Sequence, residues 1–406
     1  MIKEKDLPDG WKIKELRDVC LSKGEYGSGA RAIEYDSKKP RYVRITDIDD
    51  NGCLKNKNKV SPSIIEEKCL LEDGDLLFAR SGSVGKTYLY NKNDGFCQYA
   101  GYLIKFKPNS EIIDSNYLQY LTKTSYYWNW INSKQNAVTI NNINAKKYAE
   151  LKIPLPPLQT QKKIIVILEK AERLKEWRKE ADELTDEFLK STFLEMFGDP
   201  VTNPNEWNVK KLNDIILNIE AGWSVNGEQR RRKENEFAVL KISAVTSGFF
   251  IPDEHKVITN CENLKKIITP EKGDLLFSRA NTHELVGATC IVRDNYPYLL
   301  LPDKLWKIKL DEQKNSSEYL KFILSHPAIR GEISKHATGS SGSMLNISMS
   351  KLKSIPIIVP PIELQNKFAS IVQQVEQMRE HQSQSKHHID DLFNVLMQKA
   401  FKGELM

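Results

Sequence analysis

The stretch Ile153-Pro154-Leu155-Pro156-Pro157-Leu158 joins two kinds of structure. It returns later in the chain, where residues 355–362 read IPIIVPPI. Each Pro-Pro pair precedes a long run without proline or glycine, at residues 159–197 and 363–402. Because proline is tolerated at a helix start and excluded from the interior, each pair predicts the end of a domain and the start of a long helix.

The segments before the Pro-Pro pairs also occur twice. Three pairs of stretches match: GWKIKELRDV (10–19) with EWNVKKLNDI (206–215), GDLLFAR (74–80) with GDLLFSR (273–279), and NYLQYL (116–121) with EYLKFI (318–323). The repeat length of about 200 residues is far too long for a solenoid unit. The chain is therefore a duplicated domain-plus-helix. We predict four segments: a domain at 1–157, a helix at 158–198, a domain at 199–361 and a helix at 362–406.

Each predicted domain is α+β. Short runs rich in Val, Ile, Tyr and Phe between turn residues predict strands, at 42–48, 76–80, 88–90, 102–106, 239–245, 274–278, 289–292 and 305–308. Residues 117–124 and 319–324 have apolar residues at helical spacing and predict short helices. We expect a twisted or barrel-like sheet in each domain.

The two long helices carry apolar residues in alternating steps of three and four, which is typical of a coiled coil. The predicted seam comprises Ile164, Ile167, Ala171, Leu174, Ala181, Leu184 and Phe188 in the first helix, and Leu364, Phe368, Ile371, Val375, Met378, Ile389, Leu392 and Leu396 in the second. We predict that the helices pair with each other, antiparallel, as a rod of about 58 Å with a domain at each end. The alternative is a helix that packs on its own domain and faces solvent.

Composition excludes several classes of protein. The chain has 406 residues, with 60 Lys and Arg against 54 Asp and Glu, so its net charge of +6 permits a polyanionic partner without establishing one. No run approaches the roughly 20 apolar residues of a membrane span, and we expect no signal peptide and a cytoplasmic protein. The six cysteines include no C-x₂₋₄-C spacing, so structural zinc is not expected.

Patterns that resemble enzyme motifs are incomplete. Residues 27–32 read GSGARA, but polar and charged residues surround them, whereas a dinucleotide site needs a strand before and a helix after. Pro302-Asp303 with residues 312–314 (EQK) resembles the carboxylates of a metal-dependent nuclease, yet the first copy has Gly101 in place of Asp303. No methyltransferase, Walker A or zinc-protease motif is present. We therefore predict a non-catalytic chain with no metal and no cofactor of its own.

The remaining candidates suit binding. Each copy has an arginine at the end of its GDLLF strand, where a guanidinium can reach a guanine edge or a phosphate, and polar loops follow. The alternatives are an arginine in a structural ion pair and plain mobile loops. The basic run QRRRK (229–233) faces either a phosphate backbone or solvent. The candidate DNA-binding residues are Arg44, Arg80, Ser81, Ser83, Lys86, Thr139 and Asn141 in the first copy, and Lys241, Arg279, Asn281, Thr282, His283, Ser340 and Ser341 in the second.

Taken together, these motifs resemble the DNA-specificity subunits (HsdS) of type I restriction–modification systems. The resemblance covers the whole chain in the family's order. It is carried by LPDGW (7–11), both GDLLF strands, both Pro-Pro helix starts, EMFGDP (195–200) and KAFKGEL (399–405).

The resemblance implies two target-recognition domains that each read one half of a split, asymmetric site on double-stranded DNA. It also implies that the helices space these domains and dock two methyltransferase subunits, which bind S-adenosylmethionine and methylate adenine. A motor-nuclease subunit would join for restriction. A rod of about 58 Å limits the half-site separation to about 17 base pairs. Two other classes stay open: a self-contained DNA-modifying enzyme and a coiled-coil scaffold without a DNA role.

Overall fold

The computed structural model describes residues 7–135, 142–260, 264, 266–339 and 344–405. The chain divides into two compact units. Unit 1 comprises Met1–Lys179 and Ser383–Met406, and unit 2 comprises Glu180–Gln382. Each unit therefore contains one copy of the repeat, the start of one long helix and the end of the other. The four-segment division predicted from the sequence stays a prediction.

Unit 1 has mixed strand and helix content. Its strands are β1 (Lys12–Glu15), β2 (Glu25–Tyr26), β3 (Ala32–Glu34), β4 (Arg41–Val43), β5 (Val60–Pro62), β6 (Leu76–Ala79), β7 (Thr87–Leu89), β8 (Cys97–Tyr99), β9 (Leu103–Phe106) and β10 (Lys152–Leu155). Its helices are α1 (Ser115–Thr122), α2 (Ser125–Gln135), α3 (Ala145–Ala149) and the first part of α4 (Leu158–Phe197).

The main sheet of unit 1 is antiparallel, in the order β2-β9-β6-β7. Strand β6 contains the LLF of GDLLF, and all four of its residues are buried. Phe78 packs edge-on to Phe106 of β9, with 5.5 Å between ring centroids, and also contacts Tyr148 of α3. Unit 1 also contains the two-stranded pairs β1-β10, β3-β5 and the parallel β4-β8. The described residues form no closed barrel.

Unit 2 repeats this plan. Its strands are β11 (Asn208–Lys211), β12 (Ile216–Ala221), β13 (Ala238–Leu240), β14 (His255–Val257), β15 (Leu275–Ser278), β16 (Ala280–Asn281), β17 (Thr289–Ile291), β18 (Leu299–Leu300), β19 (Leu305–Leu310), β20 (Leu345–Asn346) and β21 (Pro356–Val359). Its helices are the end of α4, α5 (Ser243–Thr246), α6 (Ser317–Ser325), α7 (Pro327–His336), α8 (Met349–Lys353) and the start of α9 (Ile362–Lys402). The main sheet, β12-β19-β15-β17, has the same order as that of unit 1.

The aspartate of each GDLLF motif has a structural role. Asp75 accepts a hydrogen bond from the Glu72 backbone N–H at 2.8 Å, and Asp274 does the same for Glu271 at 2.7 Å. A neighbouring-strand lysine faces each carboxylate, and Lys307 Nζ lies 2.6 Å from Asp274. Burial raises the pKa of both carboxyl groups against these favourable contacts. The motif therefore closes the turn into the central strand and neutralises a buried lysine.

Two predicted strands are shorter than expected. Residues 42–48 were expected as one strand, yet β4 ends at Val43 and a 3₁₀ turn spans Ile45–Asp47. Residues 239–245 likewise divide into β13 and α5. The cause in unit 1 is local, because Asp47 accepts a hydrogen bond from the Arg44 backbone N–H at 2.9 Å. Such short-range bonds compete with the pairing of a strand.

The predicted long helices are confirmed. Helix α4 has 40 residues and α9 has 41, and both begin directly after a Pro-Pro pair. Gly198 follows α4 and Gly403 follows α9, with φ of +75° and +76°. This left-handed conformation ends a helix at little cost for glycine and at a steric penalty for other residues.

The ends of the two long helices pair inside each unit. In unit 1, Lys175 Nζ of α4 lies 2.9 Å from Asp390 of α9, and the start of α4 shares a core with the end of α9. In unit 2, the rings of Phe193 and Phe368 are 5.5 Å apart, and Arg379 pairs with Asp186. Residue numbers rise along one helix as they fall along the other, so the pairing is antiparallel, as predicted.

The seam predicted from the sequence is partly out of register. Leu174, Leu184 and Phe188 are exposed by 39%, 57% and 51%, whereas the buried positions include Thr185 and Leu189. In the second half of α4 the buried positions are therefore one residue later than predicted. Thr185 is buried in place of Leu184, and Leu189 is buried in place of Phe188. Of the other predicted residues, Met378 and Leu392 are also exposed. Those that are buried or half-buried are Ile164, Ile167, Ala171, Ala181, Leu364, Phe368, Ile371, Val375, Ile389 and Leu396.

A buried glutamine joins each long helix to its domain. Gln161 Oε1 accepts a hydrogen bond from the Asp114 backbone N–H at 2.8 Å, just before α1. Its Nε2 donates to the carbonyl oxygens of Ile112 and Pro156, at 3.0 and 2.9 Å. Gln365 of unit 2 accepts from Ser316 N–H and donates to the carbonyl of Pro360. Both glutamine side chains are fully buried, and these backbone groups satisfy their amide donors and acceptors.

We expect Gln161→Leu to destabilise unit 1 strongly. The substitution removes the side-chain partner of three backbone groups, of which the Pro156 carbonyl is buried and the other two are partly buried, at about 1–3 kcal/mol for each group that stays unsatisfied. Hydrogen exchange at the Asp114 amide and a thermal unfolding curve measure the effect. The matched control is Gln159→Leu, which changes an exposed residue two positions earlier and should shift stability by at most about 0.5 kcal/mol. Equal effects of the two substitutions would contradict the assigned role.

A glutamate about three turns beyond the glutamine forms a second attachment between each long helix and its domain. Glu172 accepts hydrogen bonds from Tyr120 Oη at 2.7 Å and from Lys123 Nζ at 2.8 Å. Burial raises the pKa of Glu172, but these two partners outweigh burial, and the pKa lies below its usual value. The matching residue of α9 is Glu376, which pairs with Arg293 of unit 2. Both helices thus hold their domain by an acid at the same position.

The lowered pKa of Glu172 predicts how unit 1 responds to acid. A carboxyl group with a folded pKa below its unfolded value of about 4.3 stabilises the fold above that value and loses this contribution as pH falls through the folded pKa. We therefore expect Glu172→Gln to lower the melting temperature at pH 7, and the difference from wild type to shrink below about pH 4. Glu169→Gln, at an exposed position on the same helix, is the control. A difference that stays constant with pH would exclude this linkage.

Candidate nucleic-acid interface

In unit 1, Arg80 follows the central strand β6 directly. Its backbone N–H donates to the carbonyl of Tyr102 at 3.0 Å, and its carbonyl accepts from Ile143 N–H at 2.9 Å. These two bonds fix the backbone of Arg80 between the turn before β9 and the segment before α3. The side chain is half-buried and leaves the sheet at the end of its central strand.

In unit 2, Arg279 holds the same place. Its backbone N–H donates to the carbonyl of Lys304 at 3.1 Å, and its carbonyl accepts from Ile347 N–H at 3.0 Å. Lys304 thus corresponds to Tyr102, and the residue before it, Asp303, corresponds to Gly101. The backbones of the two arginines are therefore held by equivalent hydrogen bonds, whereas the residues around their side chains differ.

The surroundings of Arg80 are aromatic and neutral. Its guanidinium carbon lies 4.7 Å from the centre of the Tyr26 ring, and its Nε donates to Asn142 Oδ1 at 3.4 Å. Tyr26 is 45% exposed. Among the described residues, no carboxylate forms an ion pair with Arg80. A cation stacked on a ring keeps most of its N–H donors available to a ligand.

The surroundings of Arg279 combine a more distant ring, with 6.0 Å between its guanidinium carbon and the centre of the Trp306 ring, and an acid. Its Nε donates to the backbone carbonyl of Asp303 at 2.9 Å, and its Nη2 lies 3.2 Å from Asp303 Oδ2. Ser224 donates to the other carboxylate oxygen. Burial raises the pKa of Asp303, but the hydrogen bonds from Ser224 and Arg279 outweigh it, so the net pKa lies below its usual value. Asp303 is therefore a carboxylate at neutral pH, held beside the arginine.

Two other candidates of unit 1 are engaged within the protein. Arg44 donates from Nε and Nη2 to the carboxylate of Asp47, at 2.9 and 2.8 Å. Lys86 Nζ lies 2.8 Å from Asp50 and 3.2 Å from the carbonyl of Ile48. Both side chains hold a turn in place, which is the structural alternative raised for the arginines. They are not assembled with Arg80 by any direct bond described in the structure.

The other candidates of unit 1 differ in exposure. Ser81 and Ser83 follow Arg80 in the loop between β6 and β7, and Ser83 is exposed while Ser81 is half-buried. Thr139 and Asn141 lie outside the described residues. The loop therefore continues the surface that Arg80 begins, with hydroxyl groups that suit phosphate or base edges.

In unit 2, the loop after Arg279 contains the exposed Thr282 and His283 and the half-buried Asn281, which pairs with Leu345 in the β16-β20 ladder. Lys241 is ion-paired with Glu254 at 3.2 Å. The predicted Ser340 and Ser341 lie outside the described residues. Of the described candidates, Asn281, Thr282 and His283 continue the loop after Arg279, whereas Lys241 is paired with its own acid.

The basic run at residues 229–233 is partly neutralised. Arg230 donates to both carboxylate oxygens of Glu236, at 2.8 and 2.9 Å. This contact lowers the pKa of Glu236 to about 2. Arg231 and Lys233 are exposed. The run thus presents fewer free charges than its sequence suggests.

Three residues around the arginines were missed by sequence reasoning. Tyr26 and Asn142 are 54 or more positions away from Arg80, and Ser224 is 79 positions from Asp303. Hydrogen bonding and ring contact bring them together only in the fold. One signal was present in the sequence, because the position of Asp303 in the second copy is occupied by Gly101 in the first. That difference marked where the two copies diverge in chemistry.

The geometry assembles none of the enzyme-like patterns. Residues 27–31 connect β2 to β3, and no helix follows them as a dinucleotide site requires. Asp303 and Glu312 are separated by the whole of β19. Within the described ranges, no group of three or more His, Cys, Asp or Glu side chains could hold a metal ion. Among the same residues, no helix has both the length and the apolar composition of a membrane span.

Comparison with known proteins identifies the family. The profile described as "Type I restriction modification DNA specificity domain" matches residues 8–184 and 204–391. The chain is 26% identical to the type I restriction enzyme EcoKI specificity subunit of Escherichia coli K12, over 98% of this chain and 90% of that protein. It is 23% identical to the StySPI specificity subunit of Salmonella potsdam, with the same coverage of each chain.

Solved structures agree at the level of the fold. A chain solved in a study of complex assembly and conformational transition of the type I restriction–modification system matches with a TM-score of 0.60. The two are 19% identical, and the match covers 98% of this chain and 99% of that one. With both copies of the repeat matched by the family profile, this chain belongs to the type I restriction–modification DNA-specificity family.

Proposed function

We propose that this chain reads a split, asymmetric DNA site and directs the partner subunits of a type I restriction–modification enzyme to it. Membership of the family supports DNA-sequence recognition without catalysis by this chain. The single observation that carries the detailed proposal is the pair of equivalent arginines. Arg80 and Arg279 have the same backbone setting and different neighbours, so two domains of one design present different chemistry.

The chemistry of each arginine suits DNA. A guanidinium fork can donate two hydrogen bonds to guanine O6 and N7 in the major groove, or bind a phosphate. The hydroxyl groups of Ser81, Ser83 and Thr282 in the following loops can contact phosphates beside such a base. Since the neighbours of Arg80 and Arg279 differ, we expect the two half-sites to differ in sequence.

The partners follow from the family and from the helices. Specificity subunits assemble with methyltransferase and restriction subunits. We propose that two methyltransferase subunits bind here, one to each unit, and that they supply the S-adenosylmethionine for adenine methylation, while a motor-nuclease subunit restricts. Exposed apolar side chains on the long helices support docking: Leu174, Trp177, Leu392 and Val395 in unit 1, and Leu184, Phe188 and Met378 in unit 2. We propose a cytoplasmic location for the assembly.

The first experiment is co-purification with the neighbouring methyltransferase subunit, followed by mapping of methylated adenines on genomic DNA. We expect one split motif with a fixed spacer, which disappears when this chain is omitted. Methylation that does not depend on this chain would favour the scaffold alternative. Methylation by the isolated chain would favour a self-contained enzyme.

We expect Arg80→Ala to relax recognition of one half-site and to leave the other unchanged. Loss of a bidentate contact to a base lowers discrimination by about 5- to 150-fold at that position. The measurement is the methylation rate on duplexes that vary one base pair at a time. Arg80→Lys keeps the charge and removes the planar fork, so it should recover overall affinity without recovering discrimination.

The reciprocal control for Arg80→Ala is Arg279→Ala, which should affect only the opposite half-site. Equal loss at both half-sites from either substitution would contradict the assignment of one reader to each unit.

Removal of a matched heptad from both helices tests the spacer. Residues 177–183 lie between Lys175 and Asp186 of α4, and residues 382–388 lie between Arg379 and Asp390 of α9, so each segment is bounded by residues of the two ion pairs Lys175–Asp390 and Arg379–Asp186. Deleting both segments keeps the three-four spacing of the seam and shortens each helix by about 10 Å, or about three base pairs of DNA. We expect the mapped motif to keep both half-sites and to have a spacer shorter by about three pairs.

The control for this deletion replaces the exposed polar residues of the same two segments by alanine and retains Trp177, which keeps both the helix length and the proposed docking surface. An unchanged spacer after the deletion would exclude the helices as the element that sets it.

A further inference from the structure

Asp303 belongs to the incomplete nuclease-like pattern of the sequence, and it takes no part in any assembled metal site. It lies at the place where unit 1 has Gly101, directly before the residue whose carbonyl accepts from the arginine N–H. An acidic side chain beside a DNA-reading arginine requires an explanation, because it repels a phosphate backbone. The acid therefore limits what Arg279 can contact.

The carboxylate of Asp303 is fixed by two hydrogen-bond partners and remains partly exposed to solvent. Its Oδ2 contacts Arg279 Nη2, and its Oδ1 accepts from Ser224. The side chain is 40% exposed. A carboxylate has about four acceptor positions, and two are occupied by these partners. The remaining positions can accept a hydrogen bond from a ligand without any movement of the side chain.

Arg279 and Asp303 together present donors and an acceptor side by side. In the major groove, guanine presents two acceptors, N7 and O6, and its paired cytosine presents the N4 amino donor. Arginine is the usual partner of the guanine edge, and aspartate accepts from cytosine N4. The pair is thus complementary to the full major-groove edge of one G·C base pair.

We propose that Asp303 is a specificity-determining residue of unit 2, which accepts a hydrogen bond from the N4 amino group of a cytosine whose paired guanine faces Arg279. This inference rests on the proposed function and names the base pair that one unit reads. Both arginines lie over an aromatic ring, Arg80 at 4.7 Å from Tyr26 and Arg279 at 6.0 Å from Trp306, but unit 1 has Gly101 and no acid at the place of Asp303. The half-site of unit 2 therefore contains an obligatory G·C pair whose cytosine amino group is itself read.

The test uses the complex with its methyltransferase subunits and the motif mapped for the wild-type chain. In synthetic duplexes, each cytosine of the unit 2 half-site is replaced in turn by pyrimidin-2-one, which lacks the 4-amino group. At one position we expect the wild-type complex to lose about 5- to 150-fold in methylation rate. The Asp303→Gly complex, with the residue that unit 1 has at this place, should lose little at the same position.

Two variants separate the role of Asp303 from a general effect of charge. Asp303→Asn removes the charge, keeps one acceptor oxygen and adds an NH2 donor, a combination that suits N6 and N7 of adenine, so we expect it to tolerate adenine at this position. Asp311→Asn makes the same chemical change beyond the opposite end of β19, in an exposed turn beside Lys314, and should leave the motif unchanged. Unaltered recognition of the unit 1 half-site by all variants serves as the folding control.

The proposal is overturned if the wild-type complex tolerates removal of the amino group at every cytosine of that half-site, or if the half-site contains no G·C pair. Because this duplex experiment leaves the protein unchanged, it decides the matter even where Asp303→Gly does not assemble. Absence of any split motif for the wild-type chain would instead contradict the proposed function itself.

Discussion

The attachment of each long helix to its domain depends on a single buried amide. Gln161 and Gln365 lie one turn inside their helices and bond to backbone groups of the segment that leads into α1 or α6. A side chain with both a donor and an acceptor can join two segments in this way, whereas an apolar side chain would leave the backbone groups unsatisfied. The Pro-Pro pair sets where the helix begins, and the glutamine sets how the helix meets the domain. Glu172 and Glu376 then add a charged contact about three turns further along.

This fixed attachment allows the reading surfaces to vary. The sheets of the two units have the same order, and the backbones of Arg80 and Arg279 are held by equivalent hydrogen bonds. The side chains next to the arginines come from other loops, which can change without disturbing the central strand. Tyr26 in one unit and Asp303 in the other illustrate this freedom. A duplicated scaffold with independent loops is therefore suited to reading two unrelated sequences.

Much of the fold follows from local signals in the sequence. The Pro-Pro pairs, the absence of glycine and proline over 39 residues, and the repeat of GDLLF predict a duplicated α+β domain and both long helices, but not that each compact unit takes the end of the other copy's helix. The seam is harder to predict, because Phe188 and Leu189 are both apolar and only packing decides which is buried. The predicted end of the strand at residues 42–48 is wrong for another reason, because the hydrogen bond from the Arg44 backbone N–H to Asp47 favours a turn there.

The candidate site is predictable only in part. The position of each arginine at the end of a buried strand is visible in the sequence. The partners are not, because Tyr26, Asn142 and Ser224 reach the arginines through pairing between distant segments. Pairing of that kind depends on the register of the whole sheet, which no short motif contains. The contrast between Gly101 and Asp303 is the exception, and the repeat itself exposes it.

The division of the long helices between the units has a consequence for biosynthesis. Unit 2 is continuous in sequence, so a nascent chain can complete it as soon as Gln382 has left the ribosome. Unit 1 cannot be completed then, because Met397, Ala400 and Phe401 belong to its core. Its apolar interior stays open until the last helical turns of α9 are made. A premature stop late in translation would therefore damage the domain that was synthesised first and spare the one synthesised second.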